Sequence, residues 1–559
     1  MLMERAKDPA FWQSVRSDSA YAEILSQIKN NYHETRYGEM PVLKYRPRMR
    51  FYGDGDRSEF EAPYFRRRQF LSSAAFLALI YPEENNYLDE VQECIWAICC
   101  EYSWCLPAHC NGTLDDDLHR IDLFSAETGF TLAEICYVLG ERLDPLVLNR
   151  AKTEVCSRVI DNYVHRHFDW EHNTANWAAV CAGNVGGAMM YLAPEIFDQQ
   201  LPRLLETMRT FMSGFPFDGT CMEGFGYWHY GFGNFLWFAD LLYQYSDGAQ
   251  DLLTWDRVEA VGNYAQRSFL KGGTIITNAD SSAYAVADLG MVSYMHRRFP
   301  NVPMLPKERT NYNQGNLHWM MILRNLVYAE HGADNTDFRL QDAFLTGAGQ
   351  AVMHRKGYSF AIKAGHNQEP HNHNDVGSFI LATEQGQIFC DLGAGLYTRQ
   401  YFDKNIRYSI FCNSSLSHSV PIVNGKPQQY GDEYRGSISA DSSTITVELA
   451  NAYGQPDFRK LTRTVLCGEG IVTLTDAFSE YESLTERFVT LHKPIIFHDH
   501  VLVQGVILRF DPKKVMLSVK EESHNPHNAA LPPQAVYCID FELKPHLQDL
   551  TFTIEIQEG

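Results

Sequence analysis

Residues 366–381 read HNQEPHNHNDVGSFIL and hold the transition that organises the chain. His371 and His373 stand two residues apart, Asp375 follows, and the segment then enters the apolar run Phe379-Ile380-Leu381. On an extended chain a two-residue spacing turns side chains to one face, so the two imidazoles are expected on one pocket wall, with Asn372 and Asn374 facing away. An H-x-H pair supplies metal ligands or proton-transfer groups near neutral pH. The competing reading is a polar turn that leads into a strand.

Upstream of this stretch the pattern is helical. SSAAFLALIYPEENNYLDEVQECIWAICCEYSW carries apolar residues at three- and four-residue spacing, interrupted at Pro82. Similar segments recur to GNLHWMMILRNLVYAE, separated by Gly, Pro and Asp/Asn clusters and without a fixed-period repeat. Beyond Leu340 the pattern alternates, as in YSFAIKA, STITVELA, LTRTVLC, GIVTLTDAF, HVLVQGVILRF and LTFTIEIQ. Helices followed by strands predict a multidomain α+β chain. We expect an N-terminal (α/α) toroid, an incomplete helical barrel, over 1–330 and an antiparallel β-sandwich region over 331–559. A small separate sheet from about residue 485 is an alternative division of the second part. The turn residues EHGADNTD mark the boundary.

The 559 residues exceed one ordinary domain, and 45% hydrophobic residues suffice for packed cores. The formal net charge of -21 argues against broad nucleic-acid or anionic-membrane binding, which needs a basic face. Arg46, Arg48 and Arg50, and Arg66-Arg67-Arg68, are local basic patches that read first as solvated surface. The 13 cysteines form no CxxC pair or framework, which favours reduced, mostly buried thiols. No signal-like apolar core opens the sequence and no run is long enough for a membrane span. The expectation is a cytoplasmic enzyme, or a secreted or periplasmic one if a signal was removed.

Three polar-aromatic stretches mark the helical half. WCLPAHCNGTLDDDLHRIDLFSAETG carries His109, Asn111 and Asp122 in a loop before a helix. HNTANWAAVCAGNVGGAMM opens a helix at Asn176-Trp177, where capping is the plain structural explanation of the Asn. DGTCMEGFGYWHYGFGNF sets Tyr227, Trp228, His229 and Tyr230 between glycines, with Asp218 and Glu223 the acidic pair. In the β half, Asp391 in FCDLGAG and His418 in NSSLSHSVPIVNG join His373 as a two-His, one-carboxylate set suited to Zn²⁺ or a similar ion.

In that order, these motifs resemble the heparinase II/III-like polysaccharide lyases. TANWAAVC is similar to that family's Asn-bearing helix start, EGFGYWHYG to its Tyr loop, EPHNHNDVGSFIL to its central His motif, and CDLG and SLSHSVPIVNG to its two later metal-ligand segments. The resemblance spans about residues 85 to 430. It implies Asn176, Tyr227 and His371 as catalytic residues, with Tyr230 the rival of Tyr227. It implies His373, Asp391 and His418 as ligands of one divalent ion of structural role, zinc first, manganese or calcium otherwise. His109, Asn111, Trp177, Glu223 and Arg407 become further candidates for catalysis or substrate binding. Heparinase II resembles this pattern except for a His where Asn176 stands; His172, one turn earlier if the helix extends back, would supply that imidazole. Asp375 then reads as a turn residue or a group behind the ligands.

The implied reaction is β-elimination at a uronic acid of a glycosaminoglycan such as heparan sulfate, chondroitin sulfate or hyaluronan. The uronate carboxylate must be neutralised, which falls to Asn176 with His371 or His109. A base takes the C5 proton, and the C4 oxygen leaves with a proton. Tyr has an ordinary pKa of about 10 and His about 6.5, so a phenolate base needs nearby donors or positive charge, for which Arg407 is a candidate. Tyr227 serves both steps, or shares them with His371. The expected partner is an acidic polysaccharide or oligosaccharide, with no nucleic acid and no membrane; a homodimer is also expected. Alternatives are a lyase on alginate or another uronate polymer, a toroid-fold glycosidase with a carboxylate pair, a non-catalytic carbohydrate-binding protein and a metal-dependent hydrolase.

Overall fold

The computed structural model describes residues 2–36, 38, 40–311, 318–330, 338–528 and 531–557. The chain is an N-terminal (α/α) toroid followed by antiparallel β-sheet of the sandwich type. It forms two compact units: Met1–Gly214 with Trp228–Gly262 and Val286–Thr336, and Phe215–Tyr227 with Asn263–Ala285 and Asp337–Gly559. The turn residues 331–337, expected at the boundary, lie outside the described residues.

In the first unit, the helix Ser58–Ile80 is buried at every position from 70 to 80. A helix apolar on all sides belongs inside a layer of others. The helix Asn176–Leu192 is likewise buried from Ala178 to Met190. It packs on Leu123–Leu139, Pro194–Ser213 and Gly233–Tyr245. A side chain at Gly186 would collide with Phe238 and one at Gly187 with Phe130, so the glycines set how closely these helices approach. Inside, Glu134 receives both Nη atoms of Arg324, at 2.6 and 2.7 Å, with both side chains fully buried. Tyr191 and Trp319 donate to the same carboxylate. Buried charge is tolerated only when paired and hydrogen-bonded in this way.

In the second unit, the described residues form antiparallel sheets of nine, five and four strands. Leu461–Gly468 and Ile471–Phe478 pair through a tight turn and alternate buried with partly exposed positions, the signature of one-sided burial. The segment HVLVQGVILRF, which reads as one strand in sequence, is a hairpin: His500–Val503 pairs with Val506–Arg509 around Gln504-Gly505, both at positive φ. Phe488 sits among Phe379, Phe389, Phe541 and Phe552 at the centre of the apolar core. Beside them the buried Arg463 pairs with Asp476 and Glu486. It also donates to the main-chain carbonyls of Gly377 and Ser419, 2.9 and 2.8 Å away. One guanidinium thus fixes the backbone just after the His371–Asp375 segment and just after His418.

All thirteen cysteines are free. No helix among the described residues is long and apolar enough to cross a membrane.

Candidate functional site

The His stretch is not extended where the histidines stand. Residues 370–378 form turns, the strand begins at Phe379, and His371 has φ 56. The same-face expectation from strand periodicity therefore has the wrong cause. Left-handed backbone is disfavoured for a residue with a bulky side chain and persists where surrounding contacts over-determine it. The contacts come from Asp280, whose side chain is fully buried. His371 Nδ1 lies 3.0 Å from Asp280 Oδ2 and His373 Nε2 3.1 Å from Asp280 Oδ1. Tyr397 donates to Oδ2 at 3.0 Å and Tyr401 to Oδ1. Arg407 Nη2 reaches both oxygens, at 3.4 and 3.3 Å, and the carbonyls of His371 and Asn372. Burial alone raises the Asp280 pKa, but hydrogen bonds from His371 and His373, with the Arg407 charge, outweigh it and hold the carboxyl well below its ordinary value.

Tyr227 belongs to the same unit and lies face to face with His371, ring centroids 4.1 Å apart at 22°. Its hydroxyl is 3.0 Å from that of Tyr397. Since Tyr397 donates to Asp280, Tyr227 donates to Tyr397, a phenol chain ending on a carboxylate. Burial, then the negative charge of Asp280, push the Tyr227 pKa well up, so the phenol keeps its proton. Glu223 is buried, with Oε2 3.8 Å from His371 Nε2. Its loop turns at Gly224, φ 92, where any side chain would collide with Ser281, the residue after Asp280.

The metal-ligand set is partly regrouped. His418 Nδ1 lies 2.7 Å from Asp391 Oδ1, and with Asp375 they form a buried group whose donor atoms all fall within 4.8 Å of one another. Asp375, read as a turn residue or a group behind the ligands, thus takes the place expected for His373. The His373 ring is still 5.4 Å from that of His418. Two buried atoms here have no hydrogen-bond partner, His373 Nδ1 and Asp375 Oδ2. Burial, against the pull of Asp280, lowers the His373 pKa, whereas at His418 burial is outweighed by the Asp391 charge and hydrogen bond, which raise it. Two orphaned donors beside a carboxylate and an imidazole fit a divalent ion. The Asp375 carboxylate is also held by Lys363 at 2.8 Å, and Lys363 by Glu369 at 3.0 Å.

The first unit holds the other candidates. Asn176 is the first helical residue, after Ala175 at the cap, and is buried, so capping does not explain it. The helix does not extend back to His172, which is exposed at the end of a separate turn, Asp169–His172; the one-turn spacing is not formed. His109 Nδ1 lies 2.7 Å from Asp122 Oδ2, and its ring meets Trp177 edge-on at 4.8 Å. Tyr230 donates to Glu127 Oε1, and His318 Nδ1 lies 3.1 Å from Glu127 Oε2. Asn111 accepts from the Thr113 amide in an exposed turn. Arg407 is no surface residue: it is buried, and its donors are directed to Asp280 and main-chain carbonyls of its own unit. Asp218, half of the acidic pair, accepts from the amides of Thr220 and Gly347 and shapes a turn.

Asp280, Tyr397 and Tyr401 were missed in the sequence. The signal available was GGTIITNADSS, a Gly-Gly turn and a short alternating run inside the helical half.

The fold is that of known lyase structures. The chain is similar to the crystal structure of heparinase III, with TM-score 0.66 and 13% identity over 100% of this chain and 85% of that one. It is similar to heparan sulfate lyase HepC from Pedobacter heparinus, at TM-score 0.60 and 13% identity over 100% and 87%. It is similar to the Streptomyces coelicolor A3 chondroitin AC lyase in complex with chondroitin sulphate, at TM-score 0.59 and 9% identity over 99% and 82%. At these identities the likeness is one of fold. No family model and no curated protein sequence matches the chain.

Proposed function

We propose that the protein is a lyase that cleaves uronate-containing glycosaminoglycans by β-elimination, leaving an unsaturated uronate end. The reading is carried by the Tyr227–His371 stack, which sets a phenol and an imidazole on one wall. With Nδ1–H donated to Asp280, Nε2 of a neutral His371, 3.8 Å from Glu223 Oε2, carries the lone pair to accept the C5 proton. Tyr227, held as a phenol, protonates the C4 oxygen as the C4–O bond breaks and the C4–C5 double bond forms. Neutralising the uronate carboxylate, so that charge can spread onto it, is the role the resemblance implies for Asn176. A divalent ion, when bound, supplies rigidity to the wall that bears His371. Asp375, Asp391 and His418 are the residues to hold it, with the unpartnered Nδ1 of His373, whose ring stands beside that of His418, as a further donor.

The similar structures, described as heparan sulfate lyase and as a chondroitin lyase bound to chondroitin sulphate, direct the choice of substrate. The test is a panel of heparan sulfate, chondroitin sulfate, hyaluronan and alginate, followed by ultraviolet absorbance of the unsaturated product. New reducing ends without absorbance would establish hydrolysis instead, and turnover of alginate alone would move the substrate class.

A further inference from the structure

The division of labour between Tyr227 and His371 leaves Asp280 without a chemical task, although it gathers more partners than any residue at the site. Its two oxygens meet His371, His373, Tyr397, Tyr401 and Arg407. An ionised carboxylate only accepts, so each ring nitrogen that faces it carries the hydrogen. In a neutral imidazole the opposite nitrogen is then the lone pair: Nε2 in His371 and Nδ1 in His373. Nδ1 of His373 is the buried atom left without a partner, and its ring stands beside that of His418. The backbone is committed to this arrangement on both sides. Ala279, preceding Asp280, has φ 57 and His371 has φ 56, both in the left-handed region that side chains disfavour. Arg407 bridges the two segments through the Asp280 carboxylate and the His371 and Asn372 carbonyls.

We propose that Asp280 is a positioning residue shared by two histidines, presenting His371 Nε2 to substrate and His373 Nδ1 to a divalent cation, so that one carboxylate links cation binding to proton transfer. The His371 half rests on the lyase reading; the His373 half does not. The two histidines are two residues apart yet serve different partners, because Asp280 accepts from opposite nitrogens of their rings.

The test is Asp280→Asn, which keeps the shape but offers one acceptor oxygen and an NH2. One ring must then lose its partner or reverse its tautomer. With folding checked by circular dichroism and Tm, zinc affinity is measured by competition with a chromophoric chelator, and kcat and KM are measured at saturating zinc. Expected are a loss of zinc affinity of about 10- to 100-fold, the range for groups that orient metal-bound histidines, and a fall in kcat of about 100-fold or more with KM within about threefold. In a His373→Ala background, Asp280→Asn should weaken zinc no further. A folded variant with zinc affinity within about twofold of wild type, or an undiminished effect in the His373→Ala background, would overturn the His373 half. A kcat within about threefold of wild type would overturn the His371 half.

If no polyanion yields unsaturated product with the wild-type protein, the lyase reading fails, and the zinc titration still decides the role of Asp280 toward His373. Should Asp280→Asn not fold, Tyr401→Phe removes a donor to Oδ1 while touching neither ring. It should weaken zinc by about three- to tenfold, and an unchanged affinity would overturn the inference.

Discussion

The two units differ in where their buried histidines stand. In the first each faces one carboxylate, His109 with Asp122 and His229 with Asp288 at 2.5 Å, apart from ion pairs such as Arg324 with Glu134. In the second they converge, with five side chains on Asp280, and Asp375, Asp391 and His418 in one buried group. Paired groups fix the packing of one helix on another, even where Asp288 Oδ1 and Arg324 Nε find no partner of their own. In the convergent set the orphaned atoms are an imidazole nitrogen and a carboxylate oxygen, His373 Nδ1 and Asp375 Oδ2, both able to act as ligands. Unspent hydrogen-bonding capacity of that kind is what a ligand or an ion takes up. On the proposed function the first pattern serves stability and the second chemistry, and substitutions separate them.

The largest expected effect is on chemistry. Tyr227→Phe removes one hydroxyl, whose hydrogen bond goes to Tyr397, and leaves the ring stacked on His371. Product formation should fall by about 10³-fold or more, the scale of a lost general acid, with Tm nearly unchanged. Near-normal absorbance kinetics would sink the assignment and turn attention to Tyr230. Next comes stability without chemistry. Glu134→Gln leaves Arg324 as a buried cation with half its partner, which should cost about 3 kcal/mol in denaturant unfolding of a substrate-free sample. A loss below about 1 kcal/mol would show that the paired pattern is not what holds the helices.

Removing the proposed ion should act on one unit only. Chelation should lower the unfolding temperature of the second unit, where Asp375, Asp391 and His418 lie, and leave that of the first in place. At zinc about 100 times its dissociation constant, the lost stabilisation is about 2.7 kcal/mol. Calorimetry with and without chelator reads both transitions; an equal shift in the two, or none, breaks the asymmetry.

How much of this was legible in the sequence follows from the same contrast. Periodicity exposed the elements, because one-sided burial writes itself into alternate positions, as in Leu461–Gly468. It failed at Gln504-Gly505, where two short strands share one apolar run. Local motifs exposed His371, His373, Asp391 and His418, since an imidazole or carboxylate beside a strand entrance is visible in a few residues. Asp280 was not visible: it stands 91 positions before His371 and is defined only by what folds around it. Asp375 was visible but undervalued, because nothing in HNHND distinguishes a turn carboxylate from one facing the His418–Asp391 pair. His172 was overvalued because helical spacing was extended through a segment that is a separate turn.

The smallest expected effect tests a paired group by pH. Asp122 is fully buried, caps the helix Leu123–Leu139 through the Ser125 amide at 2.8 Å, and faces His109. Burial raises its pKa, but the His109 hydrogen bond and charge, with the Ser125 and Leu106 amides, prevail and hold it below the ordinary carboxylate value. The folded state therefore favours the ionised form more than the unfolded chain does. The resulting stability is present in full above about pH 4 and is lost as pH falls through the lowered folded value. Asp122→Asn keeps an acceptor for the Ser125 amide and removes the charge, so it should cost about 1 kcal/mol at neutral pH and flatten the decline below pH 4. Denaturant titrations from pH 6 to 2 measure both slopes. If the variant loses stability below pH 4 as steeply as wild type, the acid sensitivity lies elsewhere, and the convergent carboxylates of the second unit, Asp280 first, become its source.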